Sequence, residues 1–258
     1  MDDGSTDGSV AEIEDLLGPD VRLIHQENSG LGAARNRGIA EARYEWVALL
    51  DADDRWMKNH LSTFARLVAD FPEADVVASS FRRALWEDTR NLAQQTDSRD
   101  EGYLLDYFTE AARREAVWTF SVAIRREAFV RTSGFETFWP GEDQEFWARL
   151  ALSNTFAATS KVTAFYTTHT GGIIDKGESS GLDRSPSSTH GLIGTVEKAL
   201  ADPRYAAIHR DLRHYLDSFL LRLYFRRIPP VREVKRGFLG ASYPIVELLD
   251  IAWARSDT

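Results

Sequence analysis

Short apolar runs alternate with stretches in which apolar residues recur every three or four positions, and this alternation holds to about residue 170. The short runs, Val21–His25, Val47–Leu50, Val76–Phe81, Val117–Ile124 and Val162–Thr167, have the length and apolarity of buried strands. Between them lie helical patterns. Val10–Leu17 is one, and a second runs from Leu31 to about Ala42 with Leu31, Ala34, Gly38 and Ala42 on one face. A third carries Leu61, Phe64, Ala65, Val68 and Phe71 and is closed by Pro72. Leu104–Glu115 and Arg126–Thr132 follow, then a helix carrying Phe146, Trp147, Leu150 and Ala151. Strands alternating with helices predict an α/β fold with a doubly wound, mostly parallel sheet. Residues 87–101 are polar and without period, which predicts a loop.

The pattern changes at residues 171–188, a stretch rich in Gly, Ser and Asp that reads as a flexible loop or linker. Beyond it the chain is nearly continuous helix over Thr189–Ala201, Tyr205–Arg227 and Val231–Ala254, broken at Pro229-Pro230. The expected organisation is an α/β domain over 1–170, a linker over 171–188 and a helical region over 189–258. Trp147 reads as core, while Trp139 is left open between core and an aromatic face near a loop.

One strand ends in unusual company. Val47–Leu50 runs straight into Asp51-Ala52-Asp53-Asp54. In an open α/β sheet, the carboxyl end of a strand is where ligands bind. Three carboxylates at that edge repel one another unless a cation sits among them. A hard divalent ion such as Mg²⁺ or Mn²⁺, shared with substrate phosphates, suits such oxygen ligands. Two more polar clusters stand at strand ends or helix starts, Asp2-Asp3-Gly4-Ser5 and Glu142-Asp143, with Arg35 and His169 beside them.

Composition narrows the classes. Hydrophobic residues make up 43% and charged residues 28% of 258, enough for a full core. A net charge of -9 and a pI near 5.2 argue against a nucleic-acid binder, which needs a basic footprint. The absence of cysteine removes disulfides, zinc thiolates and thiol nucleophiles. The start is acidic and polar, and no apolar run approaches the roughly 20 residues of a membrane span. The expected location is cytoplasmic.

Five segments in order, DDGSTDGS at 2–9, GLGAARNRGI at 30–39, WVALLDADD at 46–54, VAIRREAF…GFE at 122–136 and GEDQEFWARL at 141–150, resemble the GT-A-fold glycosyltransferases of family 2. That family is inverting and uses nucleotide-sugars. The resemblance covers roughly residues 1 to 170. It implies that Asp3, with Asp2, holds the nucleobase, that Arg35 contacts the donor nucleotide and that Asp51 touches it. It also implies that Asp53 ligates the metal on the diphosphate, with His169 near that metal, and that Asp143 is the general base. The implied partners are a nucleotide-sugar donor and a hydroxyl acceptor on a glycan or a lipid-linked carrier. The family begins with a strand, a helix and a second strand before the DDGS turn. This chain starts at the turn, so the expectation is that the central first strand is missing and that the chain alone is poorly stable.

Each residue also has a plainer role. Asp2 and Asp3 could be turn formers, Arg35 a surface helix residue, Asp143 a helix N-terminal acid favoured by the dipole, and His169 a strand-end surface residue. At the level of function the rivals are a non-catalytic GT-A-like module binding a nucleotide or a partner, and a metal-dependent nucleotidyltransferase. The latter wants a Gly-rich basic phosphate loop near the N-terminus, which this sequence lacks. Finally, Arg222, Arg226, Arg227, Arg232, Lys235 and Arg236 lie beside apolar residues. This pattern fits a helical cap packed on the catalytic domain, or peripheral contact with the inner face of an anionic membrane.

Overall fold

The computed structural model describes residues 1–14, 17–89, 101–114, 116–137, 141–168 and 186–227. Its strands are β1 (Trp46–Ala48), β2 (Arg55–Trp56), β3 (Val76–Leu85), β4 (Gly102–Leu105), β5 (Val122–Arg125) and β6 (Phe156–Thr168). They form one sheet in the order β1-β5-β3-β6-β2, with β4 also paired to β6. The helices are α1 (Ser9–Glu14), α2 (Leu31–Ala40), α3 (His60–Asp70), α4 (Tyr107–Arg113), α5 (Arg126–Arg131), α6 (Glu142–Ala151), α7 (Pro186–Ala201) and α8 (His209–Arg227).

The three central strands show why the sheet sits inside the molecule. Val76, Ile124 and Phe156 are in register, as are Ala78, Val122 and Ala158. These six point to one face and join a core built with Phe108, Phe129, Phe146 and Trp147. Val77, Ala123 and Ala157 alternate with them and meet Phe64 and Leu67 of α3 on the other face. This is the period-2 alternation of strands covered on both sides. Trp147 is core, as its pattern predicts, at 1% exposure. Leu192, Val196, Leu212 and Tyr215 of α7 and α8 are buried in the same core as α4 to α6.

The α/β arrangement follows the sequence pattern, but the strand directions do not. Among the described residues, β3–β6 is the sheet's one parallel ladder. The pairs β1–β5, β3–β5, β2–β6 and β4–β6 are antiparallel, so the sheet is mixed rather than mostly parallel. A short apolar run buried on both faces reads the same in either direction, and only its neighbours fix which way it runs. Val21–His25 also differs from expectation. It forms a single parallel bridge, Asp2 with His25, in which the Asp2 amide donates to Ile24 and the Gln26 amide donates back to Asp2.

Residues 102–105 are strand where the pattern suggested helix from Leu104. A Cβ on Gly102 would stand 2.4 Å from Leu67 Cδ2 and 2.7 Å from Phe71 Cε2, so a side chain there would have to push these two aside. The helix starts at Tyr107 because Asp106 caps it, accepting from the Thr109 amide at 3.2 Å and its hydroxyl at 2.8 Å.

β6 serves two edges. Phe156–Thr159 pairs with β4, and Ala164 and Phe165 pair with β2. Between them the register against β3 shifts on both sides of Ser80, a bulge that arises because β6 carries the extra residues Ser160, Lys161 and Thr163 there. Below the bulge lies a buried polar chain. His60 Nδ1 is 2.7 Å from Thr163 Oγ1, and that hydroxyl donates to Ser79 Oγ at 2.6 Å. With its own proton committed to Ser79, Thr163 accepts from His60, which fixes the Nδ1–H tautomer. His60 also stacks on Trp56 at 4.5 Å and is 1% exposed.

Burial lowers the His60 pKa to about 4. The folded value lies below the unfolded one near 6.5, so the unfolded chain takes up a proton first. The stability tied to neutral His60 is present above about pH 6.5 and is lost as pH falls from there through about 4. The full loss is about 3 kcal/mol. His60→Gln, whose amide can still donate to Thr163, should show a shallower decline over that interval in urea titrations. An identical slope in both proteins would assign the pH dependence elsewhere.

Candidate active site

The carboxylate turn after β1 is held from three sides. On the first, Leu49 continues the β1 edge by donating to Val122 at 3.2 Å. On the second, the end of β6 is tied to the turn. The Thr167 amide donates to Asp54 Oδ1 at 2.9 Å, and its hydroxyl donates to the Asp53 carbonyl. Asp54 is buried, and this pushes its pKa up to about 7, with Asp53 and Asp51 adding to the rise.

The third side is α2. Its start is built by Asp3, whose carboxylate accepts from the Ser29 amide at 2.9 Å, the Gly30 amide at 3.0 Å and Gln26 Nε2 at 2.6 Å. A carboxylate at a helix N-terminus is favoured by the dipole. Gly30 at φ 87° makes the turn into the helix. One turn on, a Cβ on Gly32 would lie 2.2 Å from the Glu136 carbonyl, so α2 rests directly on the 133–136 loop. Asn36 clamps that loop from the same helix, donating to the Phe135 carbonyl at 2.8 Å and accepting from the Phe135 amide at 2.7 Å.

Arg35 follows from this placement. One arm of its guanidinium donates to Glu142 at 2.8 Å, and the other donates to both oxygens of Asp51 at 3.1 and 3.3 Å. Its ring neighbour is Phe135, 5.6 Å away. Burial opposes its charge, but the facing carboxylates outweigh that and hold its pKa above the ordinary value. Its Nε is buried without a hydrogen-bond partner. Glu142, 3% exposed, is raised above the usual carboxylate range by burial and then by Asp143, with Arg35 opposing.

Asp143 is the second residue of α6. It accepts from the Gln144 amide at 2.7 Å, and its pKa is raised by burial against the pull of Arg35. It faces a cavity of about 60 Å³ whose other walls include Tyr107 of α4, Trp118, Trp147, and Tyr215, Phe219 and Arg222 of α8. Arg222 donates to the carbonyls of Ala111 and Ala112 at 3.0 and 2.7 Å, so its side chain faces the domain. The side chains of the other basic residues in that C-terminal group lie outside those described.

The structure therefore brings Arg35, Asp51, Asp53, Asp54, Glu142 and Asp143 to one edge of the sheet. Asp2 serves a local turn, accepting from the Ser5 amide at 3.0 Å and lying 2.9 Å from His25 Nδ1. The Ser5 hydrogen bond, with His25, lowers its pKa to about 2. Asp3 shares no hydrogen bond with Arg35 and acts on it through the start of α2. His169 and Trp139 lie outside the described residues. The sequence pattern did not single out Glu142 as the partner of Arg35, nor Asn36 as a clamp. The only signal for either was its place beside a named residue.

The family model for glycosyl transferase family 2 matches residues 1–139. The chain belongs to this family. EpsH of Bacillus subtilis (strain 168) is 41% identical over 91 residues, which is 34% of this chain and 26% of EpsH. The match thus spans about a quarter of that curated relative. Two solved folds are similar. Staphylococcus aureus TarS (residues 1–349, with UDP-GlcNAc) has TM-score 0.64, 18% identity, and 84% of this chain and 61% of TarS covered. The mannosyltransferase PcManGT of Pyrobaculum calidifontis, with GDP-Man and Mn²⁺, has TM-score 0.58, 18% identity, and 98% and 69% covered. The family-2 chain thus has the GT-A fold. Among its described residues no helix is long and apolar enough to cross a membrane.

Arg35→Met leaves Asp51 and Glu142 without their cation. Breaking such a partly buried pair costs about 3–5 kcal/mol. Arg35→Lys keeps the charge but loses the fork, so it should recover only part of that loss. Equilibrium unfolding of both variants at pH 7.5 checks this. Equal stability of Arg35→Met and the parent would mean that the bridge contributes nothing net.

Proposed function

We propose that this chain transfers a sugar from a nucleoside-diphosphate-sugar to a hydroxyl acceptor, inverting the anomeric carbon. The observation that carries the reading is the placement of Asp143. It opens into a cavity on one side and, through Glu142, joins the Arg35–Asp51 cluster on the other. The family assignment and the two folds, with UDP-GlcNAc and with GDP-Man and Mn²⁺, support a nucleotide-sugar donor. No observation here favours a non-catalytic module.

In the proposed reaction the acceptor hydroxyl sits in the cavity against Asp143. Its oxygen forms a bond to the anomeric carbon while the bond from that carbon to the diphosphate oxygen breaks. The acceptor proton passes to the Asp143 carboxylate. Attack opposite the leaving group inverts the centre. Such a base contributes typically ~10²–10⁴-fold. Arg35 orients Asp51 toward the nucleotide and keeps the start of α6, hence Asp143, at a fixed distance from the turn. Asp2 and Asp3 frame the nucleobase end, with Asp3 fixing the start of α2.

The donor set fits a hard divalent cation. Three carboxylates share one turn, and burial, with Asp53 and Asp51 beside it, pushes Asp54 toward its neutral form. Among the described residues no three such side chains form a ready-made cluster. Mg²⁺ or Mn²⁺ takes one or two carboxylates plus substrate phosphates. Asp53, with His169, would hold the ion, which would act as a Lewis acid on the departing diphosphate.

Asp143→Asn should leave nucleotide affinity nearly intact and lower kcat by two to four orders of magnitude, because the amide keeps the shape but takes no proton. The parent's rate should fall as pH drops through the raised Asp143 pKa. The acid limb should therefore lie above the ordinary value near 4 and vanish in the residual activity of the variant. Near-normal turnover of Asp143→Asn would move the base to Glu142. For the metal, calorimetric binding of UDP and of GDP should be stronger with Mn²⁺ than with EDTA, and Asp53→Ala should abolish the difference. Equal affinity of the parent in both conditions would refute metal-assisted donor binding.

A further inference from the structure

The Asp143 cavity does not end at its own walls. Arg114, Ala116 and Trp118 line it and also line a second cavity of about 250 Å³ on the far side of Trp118. The second space is roughly twenty times the ~10–15 Å³ that one water needs. Its lining includes Ser79, Ser80, Tyr103, Glu110, Ser121 and Thr159, set among alanines and the Phe81 and Trp118 rings. We propose that the two cavities are one acceptor cleft divided by Trp118. The acceptor is then a glycan of at least two sugars, with its reacting sugar beside Asp143 and its next sugar over Ser79 and Ser80. This rests on the glycosyltransferase reading of Asp143.

Three features fit this ligand. The first is a rigid aromatic platform. Trp118 is half-buried and braced by Phe81 at 4.9 Å, Tyr166 at 5.3 Å and Phe120 at 5.9 Å, so its ring is fixed before anything binds. A sugar presents an apolar C–H face to such a ring and hydroxyls around its edge. The second is a supply of neutral hydroxyls and one carboxylate. Ser80 and Tyr103 supply hydroxyls here, while Ser79 turns its own toward Thr163 and His60 on the α3 face. The third is charge. Arg114 at the divide donates to Glu110 at 3.2 Å, and Arg113 also faces Glu110. Arg114 is thereby held by a carboxylate and Arg222 by two carbonyls, so each arginine lining the cleft already has an acceptor.

The test uses the full 258-residue chain and paired probes: glucose and cellobiose, N-acetylglucosamine and chitobiose, mannose and α-1,2-mannobiose, galactose and β-1,4-galactobiose. Binding is read by titration calorimetry and by tryptophan fluorescence. For at least one pair the disaccharide should bind at least tenfold more tightly than its monosaccharide. Ser80→Phe, which fills the far cavity, should bring that ratio to within twofold of one. Trp118→Ala should do the same, and Trp118→Tyr should restore most of it. No tenfold pair, or a ratio that survives Ser80→Phe, overturns the cleft. UDP and GDP binding with Mn²⁺, measured in parallel, separates the two ideas. Nucleotide binding without a length effect refutes the cleft and leaves the transferase reading standing. A length effect without nucleotide binding keeps the cleft and refutes the donor assignment.

Discussion

Everything chemical in this molecule is referred to the Arg35 guanidinium. It takes a carboxylate from the end of β1 on one arm and a carboxylate from the start of α6 on the other. The two partners are 91 residues apart in sequence, by subtraction of 51 from 142. Only a planar, permanently charged fork can satisfy both at once. Such a bridge is weak evidence for net stability, because removing its charges from water consumes most of the attraction. Its effect is geometric. If either carboxylate shifts, a buried charge loses its partner, so the separation between the acidic turn and Asp143 has one low-energy value. The rest of α2 supports this. Gly32 lets the helix touch the 133–136 loop, and Asn36 grips that loop through both an acceptor and a donor.

A second constraint runs through β6. Its far end fixes the turn through Thr167 and Asp54, while its middle, where the register against β3 slips, opens beside Ser79 and Ser80. An unbroken ladder would direct alternate side chains in a fixed sequence up or down. The bulge breaks that sequence locally, and a cavity lined by Ser79, Ser80 and Thr159 lies there. One strand therefore spans both the acidic turn and the far cavity, and a change in its register would displace the two together.

How much of this was legible in the sequence depended on how local the cause was. The helices carrying Phe64, or Phe146 and Trp147, read correctly as helices because a 3.6-residue period is a property of the segment itself. Even so, Leu61 and Ala65 of the expected apolar face are exposed and Leu67 is buried instead. The acidic turn was placed correctly at a strand end, because an apolar run that stops at Asp51 is a property of the segment itself. Strand direction did not, since β1 and β5 look the same parallel or antiparallel. Nor did β4, where a single Asp106 moved the helix start past the apolar residues that suggested it. Asn36 and Glu142 were hidden for a different reason. Each acts on a partner about 100 residues away, Phe135 at a separation of 99 and Arg35 at 107, and no local pattern records that.

The same reasoning explains why the family assignment says more about one half of the site than the other. The match ends at residue 139, so it contains Asp3, Arg35, Asp51 and Asp53 but stops short of Asp143 and of α8. Yet Tyr215, Phe219 and Arg222 of α8 wall the cavity that Asp143 faces, and α8 is buried in the same core through Leu212 and Tyr215. Arg222 ties it to the end of α4 by two carbonyls, which leaves little freedom to slide. The residues proposed to hold the donor thus lie in the shared segment, while the wall facing the acceptor comes from a segment outside it. Under that arrangement two family members can keep one donor geometry and differ in acceptor simply by changing which helix is docked on α4. In the proposed cleft, acceptor choice is then a packing problem, set by the rings that α8 and Trp118 present.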